Sequence, residues 1–318
     1  MKVSFFSKDY TTALKGQCAL VVILVHIPET YSNPIQDGIG SFAFVAVSVF
    51  FLISSFGLHR QASLKPAYLS HFWRNRLSAL LIPVIIINIC RLLTIGLTEG
   101  QWHFEYLLKT DPYVLVLLCY YVLFYIILRF LTPIANKTWG YTIEITAVII
   151  SSLSLYFFSP NRANSAEMGW CYEQWGIVWG ILLFHCFDRF VAWMNSGHRL
   201  KLLCTFLIGL AAGLAYLKCK DIFFGGQYVL KVILGFSLIL LLFLLTGHGI
   251  SSHTVNRFLG NISYEIYLSH GFIMSMLKHN KPDLGSWTFI GMTVVLTLVF
   301  SYLIYILGKP VVKSCRTL

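Results

Sequence analysis

The chain has 318 residues, of which 57% are apolar and only 12% charged, and its formal net charge is +11. A soluble domain of this length would need far more charged surface, so the composition excludes an ordinary water-soluble enzyme and indicates that lipid is the main solvent. The positive charge does not indicate a nucleic-acid partner, because the sequence has no basic stripe interleaved with aromatic residues on a soluble domain.

The predicted elements are membrane-spanning helices, each of which needs about 20 apolar residues. The runs are continuously apolar rather than alternating, which favours helices over a barrel. We therefore predict an all-α, polytopic membrane protein, a bundle of about ten transmembrane helices that forms a single integral-membrane domain over residues 1–318. The predicted spans are 10–28, 38–59, 77–97, 112–132, 139–158, 173–191, 201–218, 227–246, 259–278 and 286–308.

Orientation follows from the distribution of lysine and arginine, which concentrate in cytoplasmic segments. If the N-terminus is cytoplasmic, most of these residues fall in inner segments, whereas the outer loop 29–37 has none. The outer loop 98–111 carries three acidic residues against Lys109. Both termini are thus predicted to be cytoplasmic, in a multi-pass protein of the cell membrane, with the bacterial inner membrane as the expected location.

The first span carries two ionisable residues, Lys15 and His26, separated by 11 positions. This spacing is three helical turns, so both lie on one face, roughly 16 Å apart along the axis. A charge kept inside a span costs about 2.5–3.5 kcal/mol or more, which makes such residues candidates for function. We interpret His26 as a general base, Lys15 as a cation below it, and Glu29 as a carboxylate within reach of the histidine. The alternative is that both residues simply lie at the two interfaces, with the lysine snorkelling.

The second and third spans add small and cationic residues. The segment Phe50 to Leu58 contains Ser54, whose default role is close helix packing and whose functional role would be to line a pocket. Arg74 and Arg76 stand at the inner entrance of the third span. Positive-inside anchoring explains them, but guanidinium groups also bind phosphate bidentately.

The ninth span is unusually polar for a transmembrane helix. It carries Tyr264, Glu265 and His270 in an otherwise apolar stretch. A buried carboxyl group must be paired or protonated, so we predict that these residues line a pocket; helix–helix hydrogen bonding is the alternative. The outer segment 170–175 is aromatic with one acid, and it contains Trp170 and Glu173. This composition suits stacking on a sugar ring, but it suits an interfacial aromatic belt equally well.

Five further ionisable residues lie within or near predicted spans, and each is either an intramembrane partner or an interfacial residue: Arg91, Glu144, His185, Asp188 and Lys231. No Cys/His cluster has metal-ligand spacing, so no metal is expected.

Four segments together resemble the acyltransferase family 3 membrane proteins, which O-acetylate surface polysaccharides and similar acceptors. Lys15-Gly16 and His26 match the basic-Gly step and the histidine that follows ten residues later in that family. FFLISSFGL at 50–58 and SYEIYLSHGF at 263–272 are similar to two further family stretches. In Phe72 to Pro83, Arg76 and Pro83 match, while Ala79 stands where a second arginine is usual.

The resemblance covers almost the whole chain and implies transfer of an acetyl group from cytoplasmic acetyl-CoA to a hydroxyl of an extracytoplasmic glycan or lipid-linked sugar. His26 would handle the acyl transfer, Lys15 would replace the family's arginine, and Arg74 and Arg76 would meet the donor phosphates. Membrane lipid would be the other partner. A homo-oligomer is also compatible with the sequence.

Two other classes of function remain open at this point. A transporter or flippase for a lipid-linked sugar or small anion would use Lys15, Glu265 and His270 as substrate or proton-relay groups. A scaffold within an envelope complex is the third alternative. The order of the four motifs favours the enzyme.

Overall fold

A computed structural model describes residues 4–27, 42, 44–65, 67–131, 137–158, 171–247 and 254–317. The secondary structure of these residues is entirely helical, which confirms the predicted fold class. The helices are α1 Lys8–His26, α2 Phe44–Leu64, α3 Phe72–Glu99, α4 Pro112–Ile126, α5 Lys137–Phe158, α6 Trp175–His185, α7 Phe187–Asn195, α8 His198–Cys219, α9 Lys231–Thr246, α10 Thr254–Asn261, α11 Ser263–Asn280 and α12 Ser286–Thr317. Short 3₁₀ turns at Leu69–His71 and Phe104–Leu108 and π-helical turns at Ile127–Leu131 and Gly225–Leu230 complete the described elements.

The number of clearly apolar spans is lower than predicted. Within the described residues, seven helices are long and apolar enough to cross a membrane, and the bent pair α6–α7 makes an eighth if it counts as one span. The predicted spans 10–28 and 259–278, which contain α1 and α11, are not among them. The polar side chains of these two helices lower their mean hydropathy. Both helices are largely buried by their neighbours, so their polar residues need not face lipid.

Two predicted spans are interrupted. The span 173–191 was expected to be one helix, but α6 ends at His185 and α7 continues after a bend of 85°. The span 259–278 is divided at Ile262, where α10 ends and α11 begins. A break this short hardly changes the mean hydropathy of a span, so a hydropathy pattern alone does not reveal either of them.

Local capping sets the start of the helices that position the site. The Ser7 hydroxyl accepts a hydrogen bond from the Tyr10 amide at 3.3 Å and caps α1. The Asp111 carboxylate accepts from the Tyr113 amide at 2.9 Å, with Pro112 at the first position of α4. Serine and aspartate are favoured caps because their oxygens satisfy amides that the first turn leaves unpaired.

The packing places the polar helices centrally. α1 contacts α2, α10, α11 and α12, and α11 contacts α3 and α12. In contrast, α8 and α12 expose rows of large apolar side chains, among them Leu203, Phe206, Val299 and Leu303. A surface of this kind is expected for helices that face lipid. The bundle thus encloses its most polar helices and presents apolar side chains on its outer surface.

Candidate active site

An inner cavity of about 240 Å³ lies between α1, α2, α3, α4 and α11. Lys15, Ser54, Arg76 and Tyr264, which the sequence predicted from four separate segments, all line it. The rest of the lining is mostly aromatic and aliphatic: Phe50, Ala79, Leu80, Tyr113, Leu117, Tyr121, Ser263 and Tyr267. Ala79 is part of this lining. An arginine at position 79, as is usual in the family that the sequence resembles, would therefore project toward the cavity.

Arg76 is held against the wall of the inner cavity by two tyrosines. Its guanidinium group donates to the Tyr68 hydroxyl, from Nε at 3.0 Å and from Nη2. The guanidinium carbon also lies 5.7 Å and 5.9 Å from the ring centroids of Tyr68 and Tyr121. These contacts fix the plane of the guanidinium group, which pre-organises it for bidentate binding of an anion.

Lys15 lines the inner cavity, whereas Glu265, which was predicted to line a pocket, is not among the residues of its lining. Lys15 is half-buried, and the Glu265 carboxylate, which is 8% exposed, attracts it electrostatically. One oxygen of Glu265, Oε2, has no hydrogen-bond partner. On the next residue of α11, the Tyr264 hydroxyl donates to the Leu80 carbonyl at 2.8 Å and ties α11 to α3.

His26 and His270, predicted independently, form a pair. Their ring centroids are 4.8 Å apart, and the rings are inclined by 60°. His270 is buried and His26 is exposed. His26 Nδ1 lies 2.8 Å from the Val22 carbonyl, and His270 Nδ1 lies 3.3 Å from the Ile266 carbonyl. Because a carbonyl only accepts, each Nδ1 is the donor in its contact, which leaves the Nε2 of each ring for other partners.

The histidine pair does not line the inner cavity. It is connected to that cavity through Tyr267, whose ring lies 5.8 Å from the ring of His270. Tyr267 also donates to Asp111 Oδ1 at 2.6 Å. Asp111 lines a second, outer cavity of about 570 Å³ between α3, α11 and the segment before α4. The Tyr267–Asp111 hydrogen bond therefore joins the walls of the two cavities.

Other predicted residues lie elsewhere. Arg74 does not line the inner cavity; its Nη2 lies 3.3 Å from His71 Nδ1. Glu173 is buried near Lys231, whose ammonium lies 3.7 Å from the ring centroid of Tyr172. Glu29 and Trp170 lie outside the described residues.

Three features escaped the sequence prediction of the site. Tyr267 and Asp111 were not singled out, although the Asp-Pro step at 111–112 is a readable helix-start signal. His59 and Glu144 form a buried pair on α2 and α5, with His59 Nε2 3.3 Å from the carboxylate. Glu144 was noted as an ionisable residue in a span, but its partner had no sequence signal. Within the described residues, no group of three or more His, Cys, Asp or Glu side chains could hold a metal ion.

Comparison with known families decides the class of the protein. The model of the family described as "Acyltransferase domain" (Acyl_transf_3) matches residues 9–306, which include every helix that lines the two cavities. The chain belongs to this family. The predicted resemblance is thereby confirmed, and the protein is a membrane acyltransferase in the broad sense of its family. No curated protein and no solved structure matches the chain.

Proposed function

We propose that the protein is a membrane O-acetyltransferase that moves an acetyl group from acetyl-CoA, on the cytoplasmic side, to a hydroxyl of a glycan or lipid-linked sugar on the opposite side. The observation that carries the proposal is the inner cavity, where Lys15 and Arg76 from two different helices face the same space. Family membership supports the acyl transfer, and the cavity supports the choice of an anionic, thioester-bearing donor.

The donor end rests on charge and shape. Acetyl-CoA carries phosphates and a long pantetheine arm, and Arg76, fixed by Tyr68 and Tyr121, offers a pre-organised fork for a phosphate. Lys15 adds a second cation, partly balanced by Glu265. The aromatic and aliphatic lining suits the arm. Arg74, which lies against His71 outside this cavity, would act on the donor only at the cytoplasmic entrance.

The acceptor end rests on the histidine pair. A sugar hydroxyl is a weak nucleophile, and a base with a pKa near neutrality is suited to activating it. His26 Nε2 would take the hydroxyl proton as the oxygen attacks the thioester carbonyl. The carbon–sulfur bond then breaks, the ester forms, and the proton returns to the departing thiolate. His270 would hold the His26 ring in place, while Ser54, Tyr264 and Glu265 shape the path of the acyl group.

The test compares envelope glycans from cells with and without the protein by mass spectrometry. We expect an added acetyl mass that depends on the protein and that falls about 100-fold or more in His26→Ala, the range over which a general base contributes. His103→Ala is the matched control, because His103 is partly exposed and pairs with Glu105 outside the cavities. Acetylation that His26→Ala leaves undiminished would rule out the catalytic role of His26.

Release of CoA thiol from acetyl-CoA separates the enzyme from a transporter. In reconstituted membranes, an acetyltransferase releases thiol when acceptor is present, whereas a transporter moves its substrate without forming an ester. In the same assay, Arg76→Ala should raise the acetyl-CoA concentration required for half-maximal release. An unchanged requirement would contradict the placing of the donor phosphates at Arg76.

A further inference from the structure

The outer cavity is the larger of the two and has a different chemistry. It is open, has a volume of about 570 Å³ and lies where α3 ends, beside α11 and residues 106–112. A space of this size accommodates a small-molecule ligand or a few sugar rings. Neither His26 nor His270 lines it, and its described lining has no residue in common with that of the inner cavity. Asp111 links the two walls by accepting from the Tyr267 hydroxyl and the Tyr113 amide. It is therefore a separate compartment from the proposed donor site.

Arg91 lines the outer cavity and gives it a cation within the depth of a predicted span. It belongs to a predicted span and lies eight residues before the end of α3 at Glu99. An arginine at this depth is tolerated where it faces a water-filled cavity and not lipid. Its guanidinium carbon lies 5.9 Å from the ring centroid of Phe272. In the described part of the chain, the guanidinium makes no hydrogen bond and no ion pair.

The other charges around the cavity leave this cation without direct compensation. Asp111 is the carboxylate that lines it, and its oxygen already accepts from the Tyr267 hydroxyl and the Tyr113 amide. Asp111 attracts Arg91 only from beyond ion-pair distance. Lys109 and His279 add basic side chains to the lining. The space is therefore net basic, although its acidic neighbours Glu99 and Glu105 lie close in sequence.

Hydroxyl groups complete the lining. Ser275 donates its hydroxyl proton to the Gly271 carbonyl at 2.9 Å, and Thr98 donates to the Thr94 carbonyl at 2.9 Å. Their oxygens thus keep lone pairs that can accept from another molecule. The Asn88 amide donates to the Leu107 and Lys109 carbonyls and holds the segment before α4 against α3, so the wall is pre-formed.

We propose that the outer cavity is the acceptor site and that it selects saccharides carrying a carboxylate or phosphate, with Arg91 as the anchoring residue. The role of the bound saccharide as an acceptor rests on the proposed function. The binding of an anionic saccharide at Arg91 does not depend on that function. A guanidinium fork pairs with a carboxylate or phosphate through two hydrogen bonds, and the serine and threonine oxygens accept from sugar hydroxyls.

Binding to the purified full-length protein tests the proposal without requiring turnover. The probes are methyl glucuronide, methyl glucoside 6-phosphate and the neutral methyl glucoside, each titrated by calorimetry up to millimolar concentration. We expect at least one anionic probe to bind about ten-fold or more tightly than the neutral probe, the factor that a charge-assisted hydrogen bond provides. The two anionic probes distinguish a carboxylate from a phosphate preference.

Variants identify the anchor. Arg91→Gln should bring the ratio of anionic to neutral affinity close to one, and Arg91→Lys should keep part of it. Arg129→Gln, which alters an exposed arginine after α4, should leave the ratio unchanged. Equal affinity of the wild-type protein for all three probes, no anionic binding at millimolar concentration, or full discrimination by a folded Arg91→Gln would each overturn the proposal. Absence of thiol release by the wild-type protein would instead contradict the proposed function.

Discussion

Gly260 and Gly16 lie where α10 crosses α1, and the crossing leaves no space for a side chain. A Cβ on Gly260 would lie 1.9 Å from the Thr12 carbonyl oxygen, and one on Gly16 would lie 2.7 Å from the Gly260 amide nitrogen. The clashes are with backbone atoms, which cannot rotate away. The glycine that follows Lys15 therefore has a structural role: it sets the distance between α1 and α10, and Lys15 is the residue beside it.

We expect Gly260→Ala to lower the unfolding temperature of the purified protein, because overpacking of this kind costs about 1–3 kcal/mol. It should also reduce acyl transfer by displacing Lys15. Gly57→Ala is the matched control, since nothing lies within 4 Å of a Cβ at that helical position. Alanine there should be neutral or stabilising by about 0.5–1 kcal/mol. Equal unfolding temperatures for the two variants would contradict the crossing described here.

At the scale of single residues, the sequence singled out polar side chains that the structure brings together, but it did not reveal their partners. Polar groups inside a span carry a desolvation cost, which is why Lys15, Ser54, Arg76 and Tyr264 stand out in the sequence. The structure brings these four residues to one cavity. The contact of His26 with His270 had no sequence signal, because it depends on how α1 and α11 pack. Tyrosines such as Tyr267 look like core residues until their hydroxyl partners are known.

At the scale of helices, a buried pair joins α2 to α5. His59 and Glu144 are 2% and 0% exposed, and the imidazole also packs against the rings of Phe124 and Phe184 at 5.0 Å and 5.5 Å. A carboxylate sealed from water depends on its partner, because removing one member leaves the other buried and uncompensated. This pair therefore stabilises the contact between two spans that the sequence does not link.

His59→Phe alone should destabilise the protein by about 3–5 kcal/mol, the range for removing one member of a buried pair. Combining it with Glu144→Leu should restore most of the loss, because the apolar replacements leave no unpaired group. Thermal unfolding of the single and double variants provides the measurement. His103→Phe, at an exposed pair, should change stability by about 1 kcal/mol or less. If the double variant is as unstable as His59→Phe, the lost stability comes from altered packing and not from an unpaired Glu144.

Helix existence was predictable and helix continuity was not. Lipid demands long apolar runs, so the spans could be read from composition, and their caps at Ser7 and Asp111 follow familiar sequence preferences. The bend of 85° between α6 and α7 and the break between α10 and α11 interrupt spans that hydropathy averaged over about 20 residues treats as continuous. Neighbouring helices cover the polar α1 and α11, so these two helices need less apolar surface than a lipid-facing helix.

For the whole molecule, orientation decides which substrate meets which cavity. Lys65 follows α2 at the end of the bundle where α3 begins and Arg76 faces the inner cavity. Lys281 follows α11, whose last residues, His279 and Asn280, line the outer cavity. The lysine and arginine bias predicts that the first of these ends is cytoplasmic. The proposed donor, cytoplasmic acetyl-CoA, could reach Arg76 only if that orientation holds.

Single cysteines test the orientation directly. In a variant lacking the eight native cysteines, Lys281→Cys should react with a membrane-impermeant maleimide in intact cells, because the predicted orientation places the end of α11 outside. Lys65→Cys should react only after the membrane is permeabilised. Both positions are exposed, so access and not burial limits the reaction. The reverse pattern would place Arg76 and Lys15 on the side without acetyl-CoA, and the donor and acceptor roles of the two cavities would then have to be exchanged or abandoned.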